Sequence, residues 1–205
     1  MARRDARERL LERAVAHIEQ RGVSDLSLRE LAAAIGTSHR MLIHHFGSRE
    51  GLWVAVIRTV EARQREALAE LLPTLGDDLA EAMRAWWRHL SDPRLHPNER
   101  LFFELYGQAL QGRPGTTELL DGIVDDWLEP AVAIYVAHGL EPEAARATAR
   151  LGVAVTRGLL LDLLATGDRD GTAAAFDAWI ALSTAALRAG GRRAGADADA
   201  DADAD

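Results

Sequence analysis

The residues best suited to chemistry lie in one stretch, Leu26–Leu52, which reads LSLRELAAAIGTSHRMLIHHFGSREGL. It contains three consecutive side chains, Ser38, His39 and Arg40, that can hydrogen-bond to an external partner. An arginine guanidinium can donate two parallel hydrogen bonds, to O6 and N7 of a guanine or to a phosphate. These side chains therefore suit recognition of nucleic acid, provided that the fold presents them on one surface.

Neither a catalytic centre nor a metal site can be assembled from the sequence. His44 and His45 are adjacent and point to different sides of a helix, and no two histidines have i, i+4 spacing. Cysteine is absent, and none of the HExxH, GxSxG, GxGxxG or phosphate-loop patterns occurs. We therefore expect a protein that is not an enzyme and that uses no metal and no cofactor.

Caps and glycines within the stretch predict two short helices joined by a turn. Ser27 and Glu30 have the spacing of a capping box, in which hydroxyl and carboxylate each accept a backbone N–H. The first short helix is predicted over Leu28–Ile35, and Gly36 can take the left-handed conformation that ends it. Ser38 is the predicted N-cap of a second helix of about two turns.

A longer helix is predicted on each side of this pair. Apolar residues in the segment Leu10–Ile18 recur at helical spacing, and Gly22 is a plausible end for that helix. Gly47 ends the second short helix, and Ser48 caps a long helix with an apolar face. Two short helices between two supporting helices form a helix-turn-helix, whose second, recognition helix enters the major groove of DNA.

The same stretch resembles the tetracycline-repressor (TetR/AcrR) family of regulators. Members of the family carry Tyr where this chain has Ile43, which cannot donate a hydrogen bond and could only lie against a sugar or a thymine methyl. Arg49 stands where the family usually has Lys. The residues that match the family's pattern as they stand are Gly36, Ser38, Leu42, His44, His45, Phe46, Ser48, Glu50 and Leu52.

The resemblance implies a role for each polar residue near the recognition helix. We expect His39 and Arg40 to reach base edges. Side chains at the positions of Arg29, His45 and Arg49 bind phosphates in the family and so fix the register on DNA. For any one residue, the alternative is a solvated helix face or a buried histidine. The predicted DNA-binding residues are Arg29, Ser38, His39, Arg40, Ile43, His44, His45 and Arg49, with His44 suited to either purpose.

Charge is unevenly distributed along the chain. The formal net charge is −8, but residues 1–66 hold 12 Arg against 9 acidic residues, whereas the remainder holds 12 Arg against 23. A basic N-terminal part is compatible with phosphate binding at that end alone. The N-terminal residues are too charged for a secretory signal, and no apolar run reaches the roughly 18 residues of a membrane span. We expect a soluble, cytoplasmic protein that does not contact a membrane.

Helical patterns continue to about residue 188, and the last two helices are predicted over about 142–166 and 171–188. From Leu151 to Leu164 the sequence is apolar almost all round, so this segment must be covered on every side. A partner subunit covering the outer face indicates a homodimer; the alternative is a central helix in a larger monomeric bundle. Breaker residues predict loops at 91–98, 111–117, 138–142 and 167–171.

Resemblance to the family further implies a ligand cavity within residues 72–190. Large side chains with an apolar body suit the walls of a pocket for a small molecule. For each such residue, a place in the ordinary core is the alternative. The candidate ligand-binding residues are Trp86, Phe103, Tyr106 and Trp127.

The end of the chain alternates Ala and Asp, and repeated negative charge predicts a disordered acidic tail. Its alternative role is to fold back on the basic N-terminal part and compete with phosphate. The predicted organisation is a helix-turn-helix domain, a connecting helix, a ligand-binding and dimerisation domain, and the tail. Their ranges are 1–47, 48–71, 72–190 and 191–205.

Together these patterns predict an all-α protein that regulates transcription by binding double-stranded DNA. The expected mechanism is repression at a palindromic operator, bound by a homodimer and released by a small-molecule effector. The alternative is a dimeric ligand-binding or protein-interaction module of the same fold that no longer reads specific DNA.

Overall fold

The structure is a computed structural model that describes residues 2–21, 26–75 and 78–202. These residues form α-helices and two short 3₁₀ helices, Leu72–Leu75 and Thr117–Leu120, without a strand, so the predicted all-α fold class is confirmed. The α-helices are Ala2–Arg21 (α1), Leu28–Ala34 (α2), His39–Phe46 (α3), Arg49–Leu71 (α4), Leu79–Leu90 (α5), His96–Leu110 (α6), Asp125–Ala137 (α7), Pro142–Thr166 (α8) and Arg169–Ala202 (α9).

The chain divides into two compact units that alternate along the sequence. The first comprises Met1–Glu70 and Ser91–Gly122, and the second comprises Leu71–Leu90 and Ile123–Asp205. This division differs from the predicted boundaries, because α6 belongs to the unit that contains α1 to α3. Side-chain contact explains the difference: Gln64 Nε2 of α4 donates to Glu99 Oε1 of α6 over 2.8 Å.

In the first unit, the helices meet through apolar faces that the sequence pattern anticipated. Ala14, Val15 and Ile18 of α1 have no exposed surface, and Leu52 of α4 has none either. Leu119 of the 3₁₀ helix is equally buried. Burial of these side chains gives α2 and α3 a fixed support, because close-packed helices resist displacement.

In the second unit, the core lies among α5, α7 and α8. Trp87 of α5 also stacks on Phe176 of α9, with ring centroids 4.8 Å apart. Offset aromatic contacts of this kind add to the stabilisation that burial provides. The buried cluster comprises Leu79, Leu128, Tyr135, Leu140, Ala145 and Ala149.

Helix α8 has an apolar outer face. Leu160 and Leu163 are buried within the second unit, whereas Leu151 and Leu161 are each 52% exposed. We define the outer stripe as the exposed residues Leu151, Ala154, Gly158 and Leu161, which recur at helical spacing. On α9, Ala174, Ala178 and Leu182 are likewise exposed.

Breaks between helices follow the predicted loops with shifted ends. The gap between α7 and α8 lies at 138–141, as predicted, but α6 begins inside the predicted loop 91–98. Pro97 occupies one of the first two helical positions of α6. A proline there costs no hydrogen bond, because the N–H groups of a first turn have no helical partner.

The backbone of α9 is helical as far as Ala202, whereas the sequence predicted a disordered tail over 191–205. Residues 203–205 lie outside the described residues. Alanine has the highest helix propensity and recurs at every second position from Ala194 onward.

Candidate nucleic-acid interface

Helix α2 begins with the predicted capping box. Ser27 Oγ accepts from the backbone N–H of Glu30 over 3.2 Å, and Glu30 Oε2 accepts from the backbone N–H of Ser27 over 2.9 Å. The hydrogen bonds from Ser27 lower the pKa of Glu30. At the other end, Arg13 Nη1 donates to the carbonyl of Ile35 over 3.3 Å and joins α1 to the end of α2.

A Schellman turn separates α2 from α3. Gly36 has φ +70°, which a residue with a side chain adopts at a cost. The N–H of Thr37 donates to the carbonyl of Ala32 over 2.8 Å, and that of Gly36 donates to Ala33. The turn predicted from Gly36 is therefore present and sets the direction in which α3 leaves α2.

Helix α3 is fixed at both ends and on its inner side. Ser38 Oγ accepts from the backbone N–H of Met41 over 3.2 Å, and Gly47 ends the helix with φ +79°. Leu42 has no exposed surface. The guanidinium of Arg7 lies 4.9 Å from the ring centroid of Phe46, a cation–π contact with α1.

The start of α4 holds the end of α3 in place. Ser48 Oγ accepts from the backbone N–H of Gly51 over 2.9 Å, as an N-cap does. A Cβ added to Gly115, in the loop after α6, would lie 3.2 Å from Cβ of Glu50. This loop therefore packs directly against the α3–α4 junction.

Most of the predicted DNA-binding residues are available to a partner. Ile43 and His45 are half-buried on the flanks of α3. The exposed ones occupy the start of α2, the outer side of α3 and the start of α4. They are Arg29, Ser38, His39, Arg40, His44 and Arg49.

Contacts within the protein orient Arg49. Its Nη2 donates to the carbonyl of Leu26 over 3.5 Å, and its guanidinium lies 5.9 Å from the ring centroid of Trp53. A guanidinium has five N–H donors, so one such bond leaves others for a phosphate. The bond brings α4 beside the residue that precedes the capping box of α2.

The sequence model for bacterial regulatory proteins of the tetR family matches residues 10–56. That range begins in α1, contains α2 and α3, and ends in α4. The N-terminal part of the chain therefore matches the tetR family. The match covers the helices whose caps, turn and exposed side chains are described above.

Curated relatives match part of the chain. The HTH-type transcriptional regulator BetI of Stenotrophomonas maltophilia (strain R551-3) is 30% identical over 79 residues, which are 38% of this chain and 40% of that protein. The HTH-type transcriptional repressor AcnR of Corynebacterium diphtheriae is 32% identical over 83 residues, 40% of this chain and 44% of that protein. The chain thus matches about two fifths of the length of these relatives.

Solved structures match nearly the whole fold. A transcriptional regulator from Rhodococcus sp. Rha1 is 22% identical, with a TM-score of 0.69 over 86% of this chain and 94% of that one. A regulator from Saccharomonospora viridis, crystallised in complex with choline, is 21% identical. Its TM-score is 0.64, over 86% of this chain and 93% of that one. At these identities the likeness shows a shared fold alone.

The four candidate ligand-binding residues lie on α5, α6 and α7, two in each unit. In the second unit, Trp86 is buried and its ring centroid lies 5.9 Å from that of Trp127. In the first unit, Phe103 and Tyr106 are half-buried on α6, and Tyr106 stacks on Phe102 at 5.5 Å. Their role in binding a ligand stays a prediction.

Two features of the first unit went unnoticed in the sequence. Met41 is 41% exposed on α3, beside the predicted base-reading residues. The carboxamide of Asn98 is buried on α6, and no hydrogen-bond partner for it lies among the described residues. The sequence could have indicated both: Met41 is an apolar residue on a polar helix face, and Asn98 is a polar residue on an apolar helix face.

Neither a metal-binding cluster nor a membrane-spanning helix is present among the described residues. Across 2–21, 26–75 and 78–202, no group of three or more His, Asp or Glu side chains is arranged to hold a metal ion. Within the same part of the chain, no helix has the length and hydropathy needed to cross a membrane.

Proposed function

We propose that this protein is a sequence-specific DNA-binding transcriptional regulator that reads an operator with α3. The observation that carries the proposal is the presentation of His39, Arg40 and His44 on the outer side of a helix that Leu42 anchors. This helix lies within the range that matches the tetR family. An anchored helix with donors at its exposed N-terminal end is what reading base edges in the major groove requires.

Within this proposal the side chains divide into two sets. His39 and Arg40 contact base edges, and His44 contacts either a base or the backbone. Arg29, Arg49 and His45 bind phosphates, and the N-cap Ser38 lies where the backbone of the DNA passes. Ile43 contributes an apolar contact to sugar or base.

Two copies of the chain act together on a palindromic operator. The outer stripe of α8 and the exposed apolar residues of α9 support this part, because an apolar surface of this kind marks an interaction site. A partner related by a two-fold axis presents a second α3 to the next major groove. Half-sites one helical turn apart match that arrangement.

A small-molecule effector releases the protein from the operator, so that the protein acts as a repressor. The regulator from Saccharomonospora viridis crystallised with choline, and AcnR is named a repressor; both support this part of the proposal. Trp86 and Trp127 in the second unit, or Phe103 and Tyr106 in the first, are the candidate residues for such a ligand. Effector binding shifts the population towards a conformation with lower affinity for DNA.

The proposal assigns the protein binding and no catalysis. Its partners are double-stranded DNA, a second copy of the chain and an effector. Its place is the cytoplasm, because a regulator of transcription acts where the chromosome lies.

Selection of binding sites from random duplex DNA with the purified full chain tests the proposal. We expect a palindromic sequence to be enriched by the wild type and by the variant Arg88→Ala, which removes an exposed arginine of α5 outside the interface. Arg40→Ala is expected to enrich a sequence that is degenerate at one base pair per half-site. A wild-type protein that enriches no sequence contradicts the proposal and favours a module that no longer reads DNA.

A further inference from the structure

Met41 is an exposed apolar residue on the helix that otherwise presents polar side chains. Its side chain is 41% exposed, whereas its neighbour Leu42 is fully buried. The other large apolar side chains that the described residues expose lie outside residues 10–56. They are Leu110, Val136, Leu151, Leu161 and Leu182.

Helical spacing places Met41 between the residues proposed to read DNA. Arg40 and His44 are four residues apart, and Met41 and His44 are three apart, so the three side chains are neighbours on one face of α3. The N–H of Met41 donates to Ser38 Oγ over 3.2 Å. The N-cap therefore fixes the backbone from which the Met41 side chain extends.

Met41 can supply an apolar contact that its neighbours cannot. Its thioether donates no hydrogen bond and accepts one only weakly. The base edges in the major groove present one apolar group, the C5 methyl of thymine. An unbranched side chain with several rotatable bonds can adapt to the position of that methyl. Ile43, the other apolar candidate, is half-buried and less available.

We propose that Met41 is a specificity-determining residue that covers the C5 methyl of a thymine in each operator half-site. The thymine lies next to the base pair that Arg40 reads, because the two side chains are consecutive on one exposed face. This inference rests on the proposed function and names one base of the operator. It adds a second apolar contact, beside that of Ile43, to the hydrogen bonds that His39 and Arg40 make with base edges.

Replacement of each operator thymine by deoxyuridine tests the inference, because it removes the methyl group and leaves every hydrogen bond. For the wild type, we expect one position per half-site at which the replacement weakens binding about three- to tenfold, the effect of burying one methyl. In Met41→Ala that discrimination is expected to disappear at this position only. Met41→Leu, which keeps an apolar side chain of similar size, is expected to retain most of it.

Two controls separate this contact from general weakening. Leu110→Ala removes an exposed apolar side chain outside residues 10–56 and is expected to discriminate thymine from uracil as the wild type does. Arg40→Ala is expected to bind the operator more weakly and to keep the discrimination. Binding is measured by fluorescence anisotropy on the selected operator at one fixed salt concentration.

Failure of this inference is distinguishable from failure of the proposed function. A protein that selects an operator but shows equal thymine discrimination in the wild type and Met41→Ala contradicts the role of Met41 alone. An operator without a thymine in its half-sites does the same. A protein that selects no operator contradicts both proposals.

Discussion

Arg40 and Arg49 are both exposed, and contacts within the protein hold Arg49 in place. Arg49 donates to the carbonyl of Leu26 and lies near the ring of Trp53, at the start of α4. Arg40 occupies the outer side of α3, beside Met41 and His44. A guanidinium held against its own protein suits a phosphate contact, whereas one on the outer side of the recognition helix suits a base.

Arg40→Ala is expected to cost about 1–3 kcal/mol in operator binding and to relax the preference at one base pair per half-site. The physical reason is the loss of two parallel hydrogen bonds to a guanine. Anisotropy titrations with the operator and its single base-pair variants measure both effects. An equal loss of affinity for operator and random DNA would contradict the assignment of Arg40 to a base.

Arg49→Ala is expected to weaken binding to operator and random DNA alike. It is also expected to reduce the slope of log affinity against log salt by about 1 per protomer, because one phosphate contact is lost. Arg49→Lys is the matched control, since it keeps the charge and is expected to retain most of the slope. A change in base preference at one position would assign Arg49 to a base instead.

Glu30 gives the capping box of α2 a dependence on pH. Hydrogen bonds from Ser27 lower its pKa below the ordinary value of 4.5. The ionised carboxylate therefore stabilises the folded state fully at pH values above its ordinary pKa. This stabilisation is lost as the pH falls through the lowered pKa of the folded state. We expect Glu30→Gln to be less stable than the wild type at neutral pH. In urea denaturation the difference should vanish in acid; a constant difference would contradict the role of the charge.

At the scale of the element, local signals predicted the helix-turn-helix closely. The caps at Ser27, Ser38 and Ser48 and the turn at Gly36 lie where the sequence indicated, because each depends on residues within a few positions. The grouping of α6 with the first unit depends on contacts such as Gln64 with Glu99, 35 residues apart. No local pattern encodes such a pairing.

The loop after α6 offers a test of packing against the α3–α4 junction. Gly115 has φ +82°, and an added Cβ would lie 3.2 Å from Cβ of Glu50. We therefore expect Gly115→Ala to lower the free energy of unfolding by about 1–3 kcal/mol. Gly107→Ala, in the middle of α6 with open space around its Cβ, is the control and is expected to be neutral or stabilising. Equal effects in urea denaturation would contradict the packing described.

At the scale of the whole molecule, the sequence predicted an interface from the apolar segment of α8 but not which leucines form it. The sequence left Leu159 and Leu160 as alternatives for the residue that faces the partner, because the segment is apolar almost all round. The structure buries Leu160 in its own unit and exposes Leu161. The sequence did not predict the exposure of Met41 either, because a methionine within an amphipathic helix is usually part of the core.

Leu161→Glu is expected to convert the proposed dimer into monomers, since it places a charge on the outer stripe. Leu110→Glu is the matched control, because Leu110 is 65% exposed and lies outside the outer stripe. Sedimentation velocity measures the oligomeric state, and operator affinity is expected to fall with it. An unliganded wild-type protein that sediments as a monomer at micromolar concentration would contradict the interface.

The affinity of the wild type for its selected operator, relative to a scrambled duplex of the same length and composition, tests the central claim most directly. Both duplexes carry the same phosphate charge, so their difference reports base and shape readout alone. Measured at physiological salt, the operator is expected to bind about a thousandfold more tightly or better, the lower range of specific regulators. Insertion of five base pairs between the half-sites, about half a helical turn, is expected to abolish that preference. Equal affinity for operator and scrambled duplex would contradict the account.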